Sequence, residues 1–364
     1  MKIPKYVNRV LNELHNNGYS AYIVGGAIRD FLLGKTPHDF DIATSAIPEE
    51  ILSVFSDYKT LTTGIKHGTI GVISSGKLLE VTTFRIDEDY SDFRHPSNVR
   101  FTNKLKDDLS RRDFTINALA YDGEVIDYFG GCEDLEKGII RCVGDPNIRF
   151  TEDVLRILRA LRFSCQLNFT ILENTKEAIF KYKDLLKNIS KERIAIEVNK
   201  MLSSDITVVL EEYLPVFQVI FPDLNKNNIT NKIEKLKKSN NNLVVRTAIL
   251  FDDFPNPDDN LDNLRTSKLF KVKVLNLLEN KNIELSENPS HLAKLLINIH
   301  LEDLLNIEEY QNIFETKTDI KKVMPLIQNI PTKLNDLKIN GHDLIKLGFQ
   351  QTKIISEILN ELLV

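Results

Sequence analysis

The spacing of hydrophobic and polar residues changes character part-way along the chain. Up to about residue 147 the apolar positions fall in short runs separated by Gly, Pro and Asp, and from about residue 148 they recur at helical spacing. The runs at 21–24, 40–43, 69–73 and 78–84 predict strands, because short apolar or β-branched stretches between turn residues suit a sheet. Pro48, followed by Glu49, Glu50 and the apolar Ile51 and Val54, predicts a helix over 48–55 with Pro at its first position. In residues 151–165, Val154, Leu155, Leu158 and Leu161 share one helical face, with Thr151 as the expected N-cap and Glu152 and Asp153 in the first turn. Residues 190–202 repeat that pattern, residues 252–263 predict a loop, and residues 341–364 predict a final amphipathic stretch. A small α/β sheet region followed by helix upon helix makes the expected fold class α+β.

Composition narrows the class of protein. The 364 residues, 42% hydrophobic and 27% charged, predict an ordinary globular chain of more than one part. Cys132, Cys142 and Cys165 are an odd number at no metal-ligand spacing, which argues against a disulfide scaffold or a zinc site and fits a reducing compartment. The N-terminal segment lacks the apolar block of a signal peptide. The most apolar region, residues 206–221, is interrupted by Glu211, Glu212 and Pro215, so no membrane span is expected and the protein reads as soluble and cytoplasmic. A net charge of −5 gives no general basic excess for nucleic acid.

Candidate chemistry begins at Val24-Gly25-Gly26-Ala27-Ile28-Arg29-Asp30, where a strand end meets a helix start. Two glycines there let backbone N–H groups approach a phosphate, and Arg29 can add a charge-assisted contact; the same residues also suit a plain tight turn. Next comes His38-Asp39-Phe40-Asp41. On a strand, Asp39 and Asp41 point to one face with Cα atoms about 6.5–7 Å apart. Such like charges repel unless a cation joins them, and a pair of Mg²⁺ ions about 3.5–4 Å apart would suit nucleotidyl transfer. Glu80 is either a third carboxylate beside this pair or a solvent-facing residue. Arg111-Arg112-Asp113, followed by Asn117, suits triphosphate and ribose contacts or an interlocked set of ion pairs.

In the helix that starts near residue 151, Asp153, Arg156, Arg159 and Arg162 lie three apart along a stripe. One reading is an ion-pair ladder. The other follows from base chemistry: cytosine and adenine present an exocyclic amino donor beside a ring-nitrogen acceptor, whereas uracil and guanine present an oxo acceptor beside an N–H donor. A carboxylate next to a guanidinium matches the first pair and leaves polar groups unpaired against the second.

The ordered motifs around these residues resemble class II tRNA nucleotidyltransferases, the bacterial CCA-adding enzymes, whose head is shared with bacterial poly(A) polymerases and is related to DNA polymerase beta. They run from Gly25-Gly26-Ala27-Ile28-Arg29-Asp30 through Asp39-Phe40-Asp41 and Glu80-Val81-Thr82-Thr83-Phe84-Arg85 to Arg111-Arg112-Asp113-Phe114, Asp127-Tyr128-Phe129-Gly130-Gly131 and Glu152-Asp153-Val154-Leu155-Arg156. The resemblance is strong over about 20–203 and weak over 204–364. It implies a polymerase beta-like mixed-sheet head at 1–147, a helical neck for base recognition at 148–203, and a helical body and tail for tRNA at 204–364. It further implies that Asp39 and Asp41 hold catalytic Mg²⁺, that Gly26, Arg29 and Arg112 hold the nucleotide, and that Asp153 and Arg156 read the base with Arg159 and Arg162 nearby.

The substrates implied are ATP, CTP and the tRNA acceptor arm, gripped by a local basic strip. CCA addition leads; A-only addition and poly(A) synthesis stand as alternatives. CC-only addition is disfavoured because the segment 87–98, with Tyr90, Asp92, Arg94 and His95, is intact. Gly341-His342-Asp343-Leu344-Ile345 and Gly348-Phe349 match the family's tail, but Gln351-Thr352 stands where Pro-Gly usually follows.

Overall fold

The apolar run Ala21–Val24 forms β1, near the centre of a mixed seven-stranded sheet in this computed structural model, which describes all residues except 91–95, 286, 315–319, 329, 332–333, 351–352 and 363–364. Helix α1 (Lys5–Asn16) precedes it and buries Val7, Val10, Leu11 and Leu14. After β1 come α2 (Gly26–Leu32), β2 (Asp41–Thr44), α3 (Pro48–Val54), β3 (Lys59–Leu61), β4 (Thr69–Ser74) and β5 (Lys77–Thr83). A two-stranded ribbon, β6 (Arg85–Tyr90) and β7 (Pro96–Phe101), leads to α4 (Leu105–Ser110), β8 (Leu119–Asp122), β9 (Glu124–Asp127) and α5 (Gly131–Lys137). The sheet order is β3-β4-β5-β2-β1-β8-β9, with β2 antiparallel to β1 and parallel to β5. Val24, Ala43, Phe84, Leu109, Ala118 and Ala120 pack together in one of its cores.

Two registers place the chemistry. Asp41 lies opposite Val24, the last residue of β1, and opposite Glu80 on β5. The end of β1, the start of β2 and the turn into α2 therefore meet at one end of the sheet's central strands.

The helical pattern after residue 147 differs from expectation in one consequential place. The predicted single helix over 151–165 is two helices, α6 (Pro146–Glu152) and α7 (Leu155–Leu167), broken at Asp153, whose backbone is extended at φ −136° and ψ 102°. Asp145, not Thr151, caps the first of them by accepting from Asn147 N–H, and Pro146 occupies its first turn. Thr151 lies inside α6, its hydroxyl turned back to the carbonyls of Asn147 and Ile148. The break has a local cause: Asp153 Oδ1 accepts from Leu155 N–H at 3.1 Å, so the side chain competes with the helix and satisfies the first turn of α7. Helices α8 (Glu173–Tyr182) and α9 (Lys191–Leu202) follow.

Contacts divide the chain into two compact units, residues 1–201 with 212–222 and residues 202–211 with 223–364. In the second, helices Lys226–Lys238, Leu243–Phe251, Lys268–Asn280 and Leu301–Ile313 enclose a core that includes a nearly inaccessible lysine. Lys232 reaches Asp252 at 2.7 Å and Asp253 at 2.6 Å, while Tyr310 donates to Asp252 at 3.2 Å, so the buried charge is paired as burial requires. The expected loop at 252–263 contains the helix Pro257–Asn263, started by Pro257 with Asp258 and Asp259 in its first turn. The expected stretch at 341–364 holds two helices, Gly341–Lys346, capped by Asn340, and Lys353–Glu361. Gln351 and Thr352, the departure from the family's tail, lie outside the described residues, as do residues 91–95 of the segment between β6 and β7. The architecture is α+β. Among the described residues, no helix is long and apolar enough to cross a membrane, and no disulfide joins Cys132, Cys142 and Cys165.

Candidate active site

The strand β2 begins at Asp41 itself, with Asp39 two residues before it, yet the alternation expected of a strand holds. Phe40 is buried between the exposed Asp39 and Asp41, so both carboxylates face one cavity of about 680 Å³. The Asp41 carboxyl is raised above its usual range by desolvation in this cleft first, then by the charge of Glu80, against the opposing pull of Arg112 and with Asp39 adding to it. Glu80 is exposed on β5 beside Asp41. It does not line the cavity among the residues that do.

A Gly-Gly turn forms the floor. Gly25 holds φ 77° and ψ −133°, a conformation open to glycine, and a Cβ there would lie 3.1 Å from Arg112 Nη1. Gly26 opens α2, and Arg29 stands within the same helix. Arg29 donates to Asp30 Oδ1 from Nε and Nη2, and to Asn117 Oδ1 at 2.7 Å. Asn117 in turn donates to Asp113 Oδ1 at 3.2 Å, and Asp113 Oδ2 accepts from Arg159 Nε at 2.7 Å. One chain of hydrogen bonds thus joins α2 to α7. Burial alone would raise the Asp113 carboxyl, but the charge of Arg159, the Asn117 amide and Arg156 bring it down to about 2. Asp108, wholly buried, is shared by Arg111 and Arg112; burial opposes its ionisation and the two guanidinium groups overcome it, lowering its pKa.

Every residue expected at the site lines this cavity: Gly26, Arg29, Asp39, Asp41 and Arg112 from the sheet region, and Asp153, Arg156, Arg159 and Arg162 from the helices after it. Their pairing differs from the expected stripe. Asp153 does not pair with Arg156; it accepts from Arg193 Nη2 at 3.0 and 3.2 Å. The Arg156 guanidinium is directed to Glu152 at 2.7 Å and to the carbonyls of Arg149 and Arg111. The cause is the break at Asp153, which takes that residue out of the helical spiral that would have set it beside Arg156. Arg162 pairs with the buried Glu197 of α9, and Arg159 with Asp113.

Local patterns gave no direct pointer to Arg193, Glu197, Lys200 or Phe163. The first three occupy positions i, i+4 and i+7 of α9, one helical face of charged residues, and that spacing is the signal available. Phe163 reads as an ordinary core aromatic.

The donor set fits a divalent cation held jointly with substrate. Among the described residues no group of three or more His, Cys, Asp or Glu forms a metal cage. Two adjacent carboxylates whose mutual repulsion a cation would relieve match the way Mg²⁺ is held, by one or two carboxylates plus phosphate oxygens and water.

A mixed sheet that presents two acidic side chains and a Gly-Gly turn to an arginine-lined cavity defines the class: a nucleotidyltransferase. The family profile described as "Poly A polymerase head domain" matches residues 21–141, and one described as "Probable RNA and SrmB- binding site of polymerase A" matches residues 168–227. The CCA-adding enzyme of Leuconostoc mesenteroides is 39% identical over 359 residues, covering 93% of this chain and 86% of that protein. The crystal structure of the Bacillus stearothermophilus CCA-adding enzyme in complex with CTP is similar with a TM-score of 0.79 at 32% identity, over 100% of this chain and 92% of that one. The Thermotoga maritima CCA-adding enzyme complexed with tRNA shares the fold, with a TM-score of 0.70 at 23% identity over 100% of this chain and 91% of that one. The chain belongs to the class II CCA-adding enzymes of the polymerase beta-like nucleotidyltransferase superfamily.

Proposed function

We propose that this protein adds C, C and A to the 3′ end of tRNA in the cytoplasm, from CTP and ATP, with Mg²⁺ as the metal. The observation that carries the reading is the meeting, in one cavity, of Asp39 and Asp41 with Arg29, Arg112 and the Asp153 carboxylate. Enzymes of this family generally use a divalent metal. Asp39 and Asp41 would hold Mg²⁺, which when bound neutralises triphosphate charge and lowers the pKa of an attacking hydroxyl.

The protein's own residues supply position and selection. The backbone of the Gly25-Gly26 turn, Arg29 and Arg112 bind the triphosphate, holding the α-phosphorus near the carboxylates. The tRNA 3′ oxygen bonds to that phosphorus, the bond to the bridging oxygen breaks, and pyrophosphate leaves while the hydroxyl proton passes to solvent. Asp153 accepts from the exocyclic amino group of cytosine or adenine. Arg156 donates to the ring nitrogen after leaving Glu152, so this half of the base-reading pair is assembled as the nucleotide enters. Arg193 orients the Asp153 carboxylate, and Arg159 and Arg162 complete the wall of the pocket. Uracil or guanine would set an oxo group against Asp153 and an N–H against a guanidinium, leaving both unpaired.

The test uses three tRNAs, ending at the discriminator base, after the first C and after the second C, each incubated with Mg²⁺ and one or both labelled nucleotides. Addition of C, C and A followed by arrest is expected. A added only to the tRNA ending in CC would assign A-only addition, arrest after CC would assign CC-only addition, and long A tails would assign poly(A) synthesis.

A further inference from the structure

Phe163 has an environment that core packing does not explain. Three guanidinium groups gather on its ring: Arg162 at 4.3 Å from the centroid, Arg29 at 5.1 Å and Arg159 at 5.4 Å. Arg29 comes from α2 and the other two from α7, so the ring lies where the two halves of the nucleotide pocket meet. Like charges so placed repel unless each is compensated, and each has its own acidic partner: Arg29 has Asp30, Arg159 has Asp113 and Arg162 has Glu197. The ring is what they share. Its negative face attracts all three and holds them at fixed distances from one centre. Phe114 meets it edge-on at 5.8 Å and 82°, which fixes its orientation. Arg162 supplies a further sign: its Nε is buried without a hydrogen-bond partner, a cost that contact with a π face partly offsets.

We infer that Phe163 is a positioning residue for nucleotide recognition, a fixed aromatic post that sets the spacing of Arg29, Arg159 and Arg162 before the nucleotide arrives. It is 5% exposed, so it serves through the arginines and not as a stacking platform for the base. The inference rests on the proposed nucleotide chemistry, and it concerns CTP and ATP alike, because the post carries no base-edge donor or acceptor.

The test separates ring electrostatics from packing by replacing Phe163 with 4-fluoro-, 3,5-difluoro- and 3,4,5-trifluorophenylalanine, which keep the shape while draining the negative face. Equilibrium binding of CTP and ATP to the full chain is read together with the melting temperature. Affinity for both nucleotides should fall stepwise, by about five- to tenfold at the trifluoro ring, with little change in melting temperature, as expected for a desolvated cation–π contact. Phe163→Tyr, which keeps an electron-rich ring, should bind within about twofold of the parent, and Phe163→Leu should resemble the trifluoro protein. Flat affinity across the series, or loss in Phe163→Tyr equal to that in Phe163→Leu, would overturn the inference. If the parent protein itself fails to add C and then A to tRNA, the proposed function fails instead, so the two failures are told apart.

Discussion

Asp113→Asn probes the network that joins α2 of the sheet region to α7. In the parent, Asp113 Oδ1 accepts from Phe114 N–H and the Asn117 amide, while Oδ2 accepts from Arg159. An asparagine supplies one oxygen and one NH₂, so whichever way it turns, a donor faces a donor. The magnitude follows from the pKa. A fall from 3.8 to about 2 corresponds to roughly 2.5 kcal/mol of stability at neutral pH. Removing one partner of a buried pair costs about 3–5 kcal/mol, and because Arg159 is one-third exposed, about 2–3 kcal/mol is expected. The folded pKa lies below the unfolded one, so this stability is complete above about pH 5 and is lost as pH falls from about 4 through about 2. Urea unfolding, with hydrogen exchange of α7 amides reporting this unit, should show the variant weaker by that amount at pH 7 and the gap closing in acid. A variant as stable as the parent at pH 7, or a gap that widens below about pH 4, would refute the reasoning.

Three further outcomes are expected. Gly131→Ala would place a Cβ 2.2 Å from the Thr115 carbonyl oxygen; because backbone on both sides must shift, a loss of about 3 kcal/mol or more is expected in thermal melts. Asp41→Asn should abolish transfer yet raise the melting temperature of the metal-free protein by a few degrees, worth about 0.5–1 kcal/mol, since it removes a carboxylate desolvated in the cleft and crowded by Glu80 and Asp39, against the pull of Arg112; added Mg²⁺ should stabilise the parent and leave the variant unchanged. Arg193→Ala, which frees the Asp153 carboxylate from its partner, should relax base choice toward U and G, Asp153→Ala should do the same, and the double variant should add little to either, a coupling of about 1 kcal/mol or more measurable from kcat/KM for the four nucleotides.

How far the sequence reveals this molecule depends on the range of the interaction involved. The strand Ala21–Val24 and the alternation Asp39, Phe40, Asp41 are set by local burial, and both are legible in the order of apolar and polar residues. The break between α6 and α7 is not, because Glu152-Asp153-Val154-Leu155 contains neither Gly nor Pro and the interruption comes from one side chain capping the next helix. The start signal of α6, Asp145-Pro146, is legible as a cap followed by Pro at the first position. The same reading of Pro257 recovers the helix within residues 252–263. Arg193 meets Asp153 across 40 residues of chain. Phe163 has Arg159 four residues before it on the same helix, a spacing the sequence shows, but it gains Arg29 only when α2 and α7 come together, and no local spacing encodes that contact or the Arg193–Asp153 pair.

The claim at the centre is that protein groups alone choose the base, before tRNA is present. Isothermal titration of CTP, ATP, UTP and GTP into the tRNA-free protein with Mg²⁺ tests it most directly. Comparable binding of CTP and ATP, with UTP and GTP weaker by about tenfold or more, is the expected result, since a buried polar pair left unsatisfied costs about 1–3 kcal/mol. Four nucleotides bound with equal affinity would contradict it.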